Sequence, residues 1–344
     1  MPRDIPFQTH VTEVRRNRAT AAASYCFIST ALTLLNKHVL TSGSFGQVNF
    51  LICIQQIFIL AFLCLGHSVG ILKLVSVPFV SNTSFLGVFA SFVVYVLTSL
   101  QGLKYVSLPL YTVLRKTGVL LTVILEWIYV SKKRPTAATS FGVTAIVFGA
   151  IISGFSDLNF DAAGYALCLA CNLATSGYII SISRHKQNTS VDTPNLIFQC
   201  AICAIPIFFL ISVVSGEFNE ALKQLYVADV AFILAFSLSS LLAGLLNIAA
   251  VWNTRLNSPT TQSISANFKD VLVVIISQYL QPVDLVTRGI AGLLLTFLGA
   301  CVHSFQDNLK ISHLRAICSQ RIQWPVFISI LSLSALTVYF RGSG

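Results

Sequence analysis

Long apolar segments alternate with short polar loops along almost the whole chain. Each segment holds about 20 mostly uncharged residues, which is the length that an α-helix needs to cross a bilayer. The segments lie at about residues 20–40, 48–67, 82–102, 107–131, 136–155, 161–183, 193–214, 227–251, 258–280 and 287–306. The pattern predicts an all-α integral membrane protein with ten transmembrane helices. A further apolar stretch at residues 324–340 is short and contains Pro325, so the sequence leaves its placement open.

The composition supports this fold class and excludes a soluble domain. Hydrophobic residues make up 55% of the 344 residues and charged residues only 10%, whereas a soluble domain carries about 25% charged residues. The net charge of +10 would suggest nucleic-acid binding in a soluble protein. Here the basic residues lie mostly in short loops, where they indicate membrane topology instead. We therefore expect the lipid bilayer as a partner and no nucleic acid.

The loop charges predict that both termini are cytosolic. With the N-terminus inside, the cytosolic loops collect about 14 Lys and Arg residues and the opposite loops only 3. Basic loops stay on the cytosolic side of a membrane protein. In this orientation the sequons at Asn82 and Asn188 both face the cytosol. We therefore expect neither asparagine to carry a glycan.

Ten helices divide into two sets of five, which predicts two inverted repeats. Because five is odd, the second set must cross the membrane in the opposite orientation, as in transporters built from inverted repeats. The expected organisation is a cytosolic N-terminal segment, a first repeat, a second repeat and a C-terminal tail, at residues 1–19, 20–155, 161–306 and 307–344.

Charged residues inside the predicted helices are the main candidates for function. Arg115 and Lys116 lie about a third of the way into the fourth segment, and Lys269 and Asp270 lie at the centre of the ninth. Each charge at the bilayer centre costs about 2.5–3.5 kcal/mol. In a purely structural interpretation, Lys269 pairs with Asp270 or Glu126, or extends its ammonium group to the interface.

The functional interpretation is a cavity that binds an anion. Tyr111 and Arg115 are four residues apart and share one helix face. Gln262, Ala266 and Lys269, at spacings of four and three residues, share a face of the ninth helix in the same way. Several cations in a low-dielectric cavity suit a diphosphate, because lysine acts as a point charge and arginine holds two oxygens. Ser263 is a small neighbour that leaves room for a ligand. Lys37, near the lumenal end of the first helix, is a further candidate.

Three short motifs lie in order along the predicted helices. The first helix ends in LNKHVLT (residues 35–41), and the fourth begins LPLYTVLRK (residues 108–116). The ninth contains NSPTT (residues 257–261) followed by ISANFKDVL (residues 264–272). Together they resemble the motifs of the nucleotide-sugar transporters of solute carrier family 35, in the drug/metabolite transporter superfamily, and are most similar to its UDP-sugar branch. The resemblance covers roughly residues 20–310.

This resemblance implies an antiporter that exchanges a nucleotide sugar for the matching nucleoside monophosphate across the Golgi membrane, or alternatively the endoplasmic reticulum membrane. It implies no enzymatic activity, no cofactor and no metal. In relatives the basic motif of the ninth helix approaches the phosphates, which assigns that role to Lys269 and less directly to Arg115. The formation of a homodimer is left open.

The resemblance leaves the nucleotide and the sugar open. The seventh segment lacks the paired asparagines of GDP-mannose transporters. We expect Gln199 or Asn195 to supply the amide for the base there instead. We therefore expect a UDP-sugar, for example UDP-N-acetylglucosamine, with UMP as the exchanged product. Asn267, close to Lys269, bears on the sugar preference. A GDP-mannose-type antiporter and a sugar-phosphate/phosphate exchanger are the alternatives.

Alternating access around a midplane site is the expected mechanism, with close packing or bending at Gly118, Gly149, Gly244 and Pro259. An integral-membrane sugar transferase is the main rival outside transport. Intramembrane acids are scarce and the six histidines lie at segment ends or in tails, so acid–base pairs are lacking. A scaffold or receptor without transport activity would leave the buried charges unexplained.

Overall fold

The computed structural model describes residues 7–41, 45–74, 83–131, 135–155, 161–188, 192–257, 259–280 and 287–305. Within these ranges the chain is helical and contains no strand. The helices are α1 (Phe7–Thr41), α2 (Val48–Ser68), α3 (Thr83–Tyr105), α4 (Leu108–Lys116), α5 (Gly118–Glu126), α6 (Ala137–Phe155), α7 (Ala162–Asn188), α8 (Thr193–Val214), α9 (Glu217–Val227), α10 (Val230–Leu256), α11 (Pro259–Leu280) and α12 (Thr287–Phe305). A π-helical turn, Trp127–Ser131, follows α5.

Each of the ten predicted apolar segments coincides with helix in the structure. Two differences follow from using apolarity to place helices. The first helix begins at Phe7 rather than near residue 20, because a helix can extend beyond the apolar stretch that enters the membrane. The helix α9 was not predicted, because its 11 residues are too few for a span and because Glu217 and Glu220 make its first turn polar. The stretch 324–340 lies outside the described residues.

The fourth predicted segment coincides with the apolar stretch Leu108–Tyr129, but its helix is interrupted at Thr117. The Thr117 hydroxyl donates to the carbonyl of Leu114 at 2.7 Å, and Asn172 Nδ2 of α7 donates to the same carbonyl at 2.8 Å. Side chains that take a carbonyl out of the helical ladder bend a helix. As a result α4 ends directly after Arg115 and Lys116, and α5 begins at Gly118.

The helices pack in pairs that connect the two halves of the chain. The most extensive contacts are α6 with α12, α3 with α7 and α1 with α10, followed by α2 with α10 and with α8. Glycines allow close approach in these pairs. A Cβ on Gly149 would overlap the carbonyl oxygen of Gly292 on α12, and a Cβ on Gly244 would lie 2.9 Å from the carbonyl oxygen of Phe58 on α2.

The helical stretches have the length and apolarity of a multi-pass membrane protein. Among the described residues, seven stretches are long and apolar enough to cross a bilayer: Asn17–Thr41, Val48–Ser68, Phe85–Tyr105, Leu108–Tyr129, Ala162–His185, Thr193–Val214 and Val230–Asn253. Thr139–Phe155 and Gly289–His303 are shorter apolar helices. Large apolar side chains such as Phe27 and Phe141 are exposed on the outer surface, as expected where lipid is the solvent.

Candidate functional site

A cavity of about 390 Å³ lies between α1, α2, α3, α4, α10 and α11. The predicted candidates Tyr111, Arg115, Lys116, Lys269 and Asp270 all line it. The other polar groups of its wall are hydroxyls, amides and one further tyrosine, contributed by Ser29, Thr33, Asn36, Gln55, Tyr95, Ser99 and Thr112. The buried charges of α4 and α11 therefore face one common space.

Arg115 is held by sulfur, hydroxyl and aromatic groups. Its Nη1 donates to Cys171 Sγ and, at 3.4 Å, to Thr175 Oγ1, both on α7. Its Cζ lies 5.5 Å from the ring centroid of Tyr95 and 5.9 Å from that of Tyr111, within the range of cation–π attraction. Within the described ranges no carboxylate forms an ion pair with Arg115, so its positive charge is not compensated there.

Lys116 and Lys269 share one carboxylate. Lys116 Nζ lies 2.6 Å from Asp270 Oδ2, and Lys269 Nζ lies 3.0 Å from Asp270 Oδ1. Lys116 Nζ also donates to Asn267 Oδ1 at 2.5 Å, which places this predicted residue beside the cluster. The pairing of Lys269 with Asp270 agrees with the structural interpretation of these charges, but it accounts for only one of the three cations.

The cluster retains two positive charges after this pairing. Arg115, Lys116 and Lys269 are cations, and Asp270 is the one carboxylate among the described residues that contacts them. Their side chains are largely buried, with 12% of Lys116 and 22% of Lys269 exposed. Charges in a site of low dielectric attract a counter-ion more strongly than charges in water. Two positive charges facing a cavity suit a ligand with two phosphate groups.

The remainder of the cavity wall is polar but neutral. Gln55 Nε2 of α2 donates to Asn36 Oδ1 of α1 at 2.8 Å. The Tyr111 hydroxyl lies 2.8 Å from Ser99 Oγ and donates to the Ser99 carbonyl at 3.1 Å. The cavity thus combines a cationic region with a region of amides and hydroxyls.

Lys37 does not line the cavity. Its Nζ donates to the carbonyls of Leu103, Lys104 and Val106 at 2.9, 3.1 and 2.8 Å. These carbonyls lie at and just after the end of α3, where helical carbonyls lack partners within the helix. All three N–H donors of the ammonium group are therefore used in capping α3, which gives Lys37 a structural role next to the site.

The two amides predicted on the seventh segment also lie away from the cavity wall. Asn195 and Gln199 are buried in α8, and Asn195 Nδ2 donates to the carbonyl of Lys73 at 3.3 Å. Gln262 and Ser263 belong to α11, but their side chains lie outside what the structure describes.

Sequence reasoning missed the neutral part of the wall, although a signal was present. Ser29, Thr33 and Asn36 are spaced four and three residues apart along α1, and Tyr95 and Ser99 are four apart along α3. Such spacing places polar groups on one face of an otherwise apolar helix. An intramembrane polar face marks a cavity or a helix contact in the same way that an isolated charge does.

The comparisons with known proteins identify nucleotide-sugar transporters as relatives over most of the chain. The UDP-N-acetylglucosamine transporter UGNT1 of Arabidopsis thaliana is 28% identical over 83% of this chain and 87% of its own length. The UDP-sugar transporter UST74c of Drosophila melanogaster is 26% identical over 76% of this chain and 69% of its own. These relatives are transporters rather than enzymes. The resemblance predicted from the three motifs is therefore confirmed.

Other comparisons extend this result. The GDP-mannose transporter GONST2 of Arabidopsis thaliana is 26% identical over 73% of this chain and 68% of its own length. A solved crystal structure covers 86% of this chain and 98% of its own with a TM-score of 0.53. At 14% identity this likeness shows the fold alone. No protein-family model matches the chain.

Proposed function

We propose that this protein exchanges a UDP-sugar, for example UDP-N-acetylglucosamine, for UMP across the Golgi membrane. The observation that carries the proposal is the cavity lined by Arg115, Lys116 and Lys269, in which a single carboxylate, Asp270, pairs with the two lysines. The relatives named above, which include transporters of UDP-N-acetylglucosamine and of UDP-sugars, support the same substrate class.

Exchange follows from the charge of the empty site. Two uncompensated positive charges resist passage through a closed, dehydrated intermediate, because desolvating an unpaired charge is costly. A bound nucleotide supplies the missing negative charge and lowers that barrier. The loaded transporter therefore reorients faster than the empty one, which couples the entry of one nucleotide to the exit of another.

Alternating access by two inverted five-helix repeats is the proposed mechanism, and the packing of helix pairs supports it. If segments 1–5 and 6–10 are equivalent, the third segment corresponds to the eighth and the first to the sixth. A contact between the third and sixth segments then requires a matching contact between the eighth and the first. The corresponding contacts, α3 with α7 and α10 with α1, are both extensive. The fifth and tenth segments, α6 and α12, also pack together, as a two-fold relation between the repeats would require.

The decisive experiment is exchange in proteoliposomes preloaded with UMP. We expect uptake of labelled UDP-sugar that depends on internal UMP, and a loss of at least tenfold in Lys269→Ala. Lys223→Ala is the matched control, because Lys223 is exposed on α9 away from the cavity. Retained exchange at a near-normal rate and affinity in Lys269→Ala would remove this lysine from the mechanism.

Two alternative substrates are tested in the same vesicles. A GDP-mannose-type antiporter is favoured by relatives of that name such as GONST2, and it would show uptake of GDP-mannose driven by internal GMP. A sugar-phosphate/phosphate exchanger would respond to internal phosphate rather than to any nucleotide. Uptake driven by UMP and not by GMP or phosphate would support the proposal.

The proposed topology places both termini in the cytosol. Protease protection of tags at the two ends in sealed Golgi vesicles checks it, with cleavage of both tags expected from the cytosolic side. Localisation to the endoplasmic reticulum instead would change the compartment but not the exchange reaction.

A further inference from the structure

The cavity has a neutral region whose polar groups the phosphates of a ligand do not require. The amide pair, defined here as Asn36 and Gln55, is a buried part of it, since each residue is 7% exposed. Thr33, one turn before Asn36 on α1, adds a hydroxyl group to the same wall. None of these residues carries a charge. A ligand group that fits this region is therefore neutral and has several hydrogen-bonding positions.

The amide pair is only half satisfied by its own hydrogen bond. Gln55 Nε2 donates to Asn36 Oδ1 at 2.8 Å. Among the described residues, Asn36 Nδ2 and Gln55 Oε1 have no further hydrogen-bond partner, although both residues line the cavity. Buried amide groups without partners are costly, so such groups mark a place where a ligand completes the bonding. The pair presents one donor group and one acceptor side by side.

The amide pair lies at a distance from the cations that suits a nucleotide sugar. The hydroxyl of Thr30 donates to the carbonyl of Lys269 at 3.5 Å, which fixes the level of Lys269 along α1. Asn36 follows Thr30 by six residues, about 9 Å along the helix at 1.5 Å per residue. If the phosphates of a ligand lie at the cations, the part of the ligand that reaches the amide pair extends well beyond the phosphates.

The aromatic side chains are at the other level of the cavity. Tyr95 and Tyr111 both lie against Arg115. On α3, the carbonyl of Leu103 accepts from Lys37, the neighbour of Asn36, and Tyr95 precedes Leu103 by about 12 Å at the helical rise. A nucleobase needs a surface on which to stack. That surface is near the cations, whereas the amide pair lies at the opposite level of the cavity.

We infer that Asn36 and Gln55 bind the sugar of the transported nucleotide sugar, a conclusion that rests on the proposed function. Sugar hydroxyls both donate and accept, so two neighbouring hydroxyls fit a donor and an acceptor held side by side. An acetamido group fits equally well, with its carbonyl on Asn36 Nδ2 and its N–H on Gln55 Oε1. The pair then selects between sugars, while the cations bind every nucleotide.

The test compares a ligand that has the sugar with one that lacks it. Homo-exchange of labelled UMP is measured in proteoliposomes, with unlabelled UDP-N-acetylglucosamine or UMP as the competitor. In Gln55→Leu we expect inhibition by UDP-N-acetylglucosamine to weaken about tenfold relative to inhibition by UMP, as for the loss of a hydrogen-bonding partner from a buried site. UMP homo-exchange itself should persist, which also shows that the variant is folded.

Gln56→Leu is the matched control, because Gln56 is the adjacent buried glutamine of α2 and does not line the cavity. Gln55→Asn, which keeps the amide but shortens the side chain, provides a milder variant, for which we expect a smaller change of the ratio in the same direction. An equal loss for both competitors, or no change in their ratio, would overturn the inference. Failure of the proposed function would look different: the unmodified protein would show no UMP exchange.

Discussion

Lys116 on α4 and Asp270 on α11 form an ion pair of 2.6 Å that joins the two halves of the chain at the cavity. Each residue directly follows a cation along the sequence: Lys116 comes after Arg115, and Asp270 comes after Lys269. The carboxylate thus stabilises two lysines without neutralising the arginine. The site therefore keeps a net positive charge, while the pairing lowers the cost of burying the lysines in a bilayer.

Replacing Asp270 by asparagine should destabilise the protein in the absence of ligand. The change leaves three cations close together without a carboxylate, and breaking a buried pair by removing one partner costs about 3–5 kcal/mol. The measurement is the thermal unfolding midpoint in detergent, which should fall markedly and be restored in part by UMP. Asp161→Asn is the control, because asparagine replaces aspartate well at the start of α7. An unchanged midpoint for Asp270→Asn would contradict the assigned role of the carboxylate.

Replacing Arg115 by lysine should weaken substrate binding although the charge is kept. Lysine cannot reproduce the planar guanidinium between Tyr95 and Tyr111 or its two bonds to α7. We expect the KM for the nucleotide sugar to rise about tenfold, which corresponds to about 1.4 kcal/mol. Arg184→Lys is the control: it changes the cation–π contact of Arg184 with Tyr129, which does not line the cavity, and it should leave KM unchanged. Equal KM values for the two variants would argue against Arg115 as a ligand-binding residue.

Replacing Glu217 by alanine should destabilise the start of α2. The Glu217 carboxylate accepts hydrogen bonds from Asn49 N, Asn49 Nδ2 and Phe50 N at 2.7, 2.8 and 3.3 Å. A carboxylate at a helix N-terminus satisfies free N–H groups and interacts favourably with the helix dipole. We expect a loss of about 1–3 kcal/mol in the free energy of unfolding. Glu220→Ala, at an exposed position of the same helix, should change the midpoint little, and a similar loss there would refute the explanation.

Replacing Gly149 by alanine should disrupt the packing of α6 against α12. The added Cβ would overlap the carbonyl oxygen of Gly292 and would lie 2.6 Å from the amide nitrogen of Thr296, which are backbone atoms that cannot move independently. Overpacking typically costs about 1–3 kcal/mol. Gly87→Ala serves as the control, since its Cβ would meet only the Ser181 hydroxyl at 3.8 Å. Equal thermal midpoints for the two variants would show that the α6–α12 contact adapts without cost.

Much of the fold was predictable because the bilayer imposes a simple rule on the sequence. A span must be apolar over about 20 residues, so all ten segments could be located from composition alone. The rule fails where helices are not spans, as in α9, and where a helix is interrupted by a distant residue. Asn172 binds the Leu114 carbonyl and helps to break the fourth segment, but nothing near Leu114 in the sequence indicates it.

The candidate site was predictable for its charges and for Tyr111 and Asn267 beside them, but not for the rest of its neutral wall. Arg115, Lys116, Lys269 and Asp270 stand out because a charge within an apolar segment is rare and expensive. Lys37 met the same criterion, yet the structure places its ammonium group on the carbonyls of Leu103, Lys104 and Val106. A charge in the sequence has the same appearance whether it binds a ligand or caps a helix.

The sequence by itself determined that the chain is a helical membrane protein, where its ten apolar segments lie and which charges fall within them, because each of these properties depends on local apolarity. Only the tertiary structure decided which buried groups share one cavity. Gln55 meets Asn36, and Lys116 meets Asp270, because helices from different parts of the chain pack side by side. Such contacts depend on how helix faces fit together, and no local pattern in the sequence records that fit.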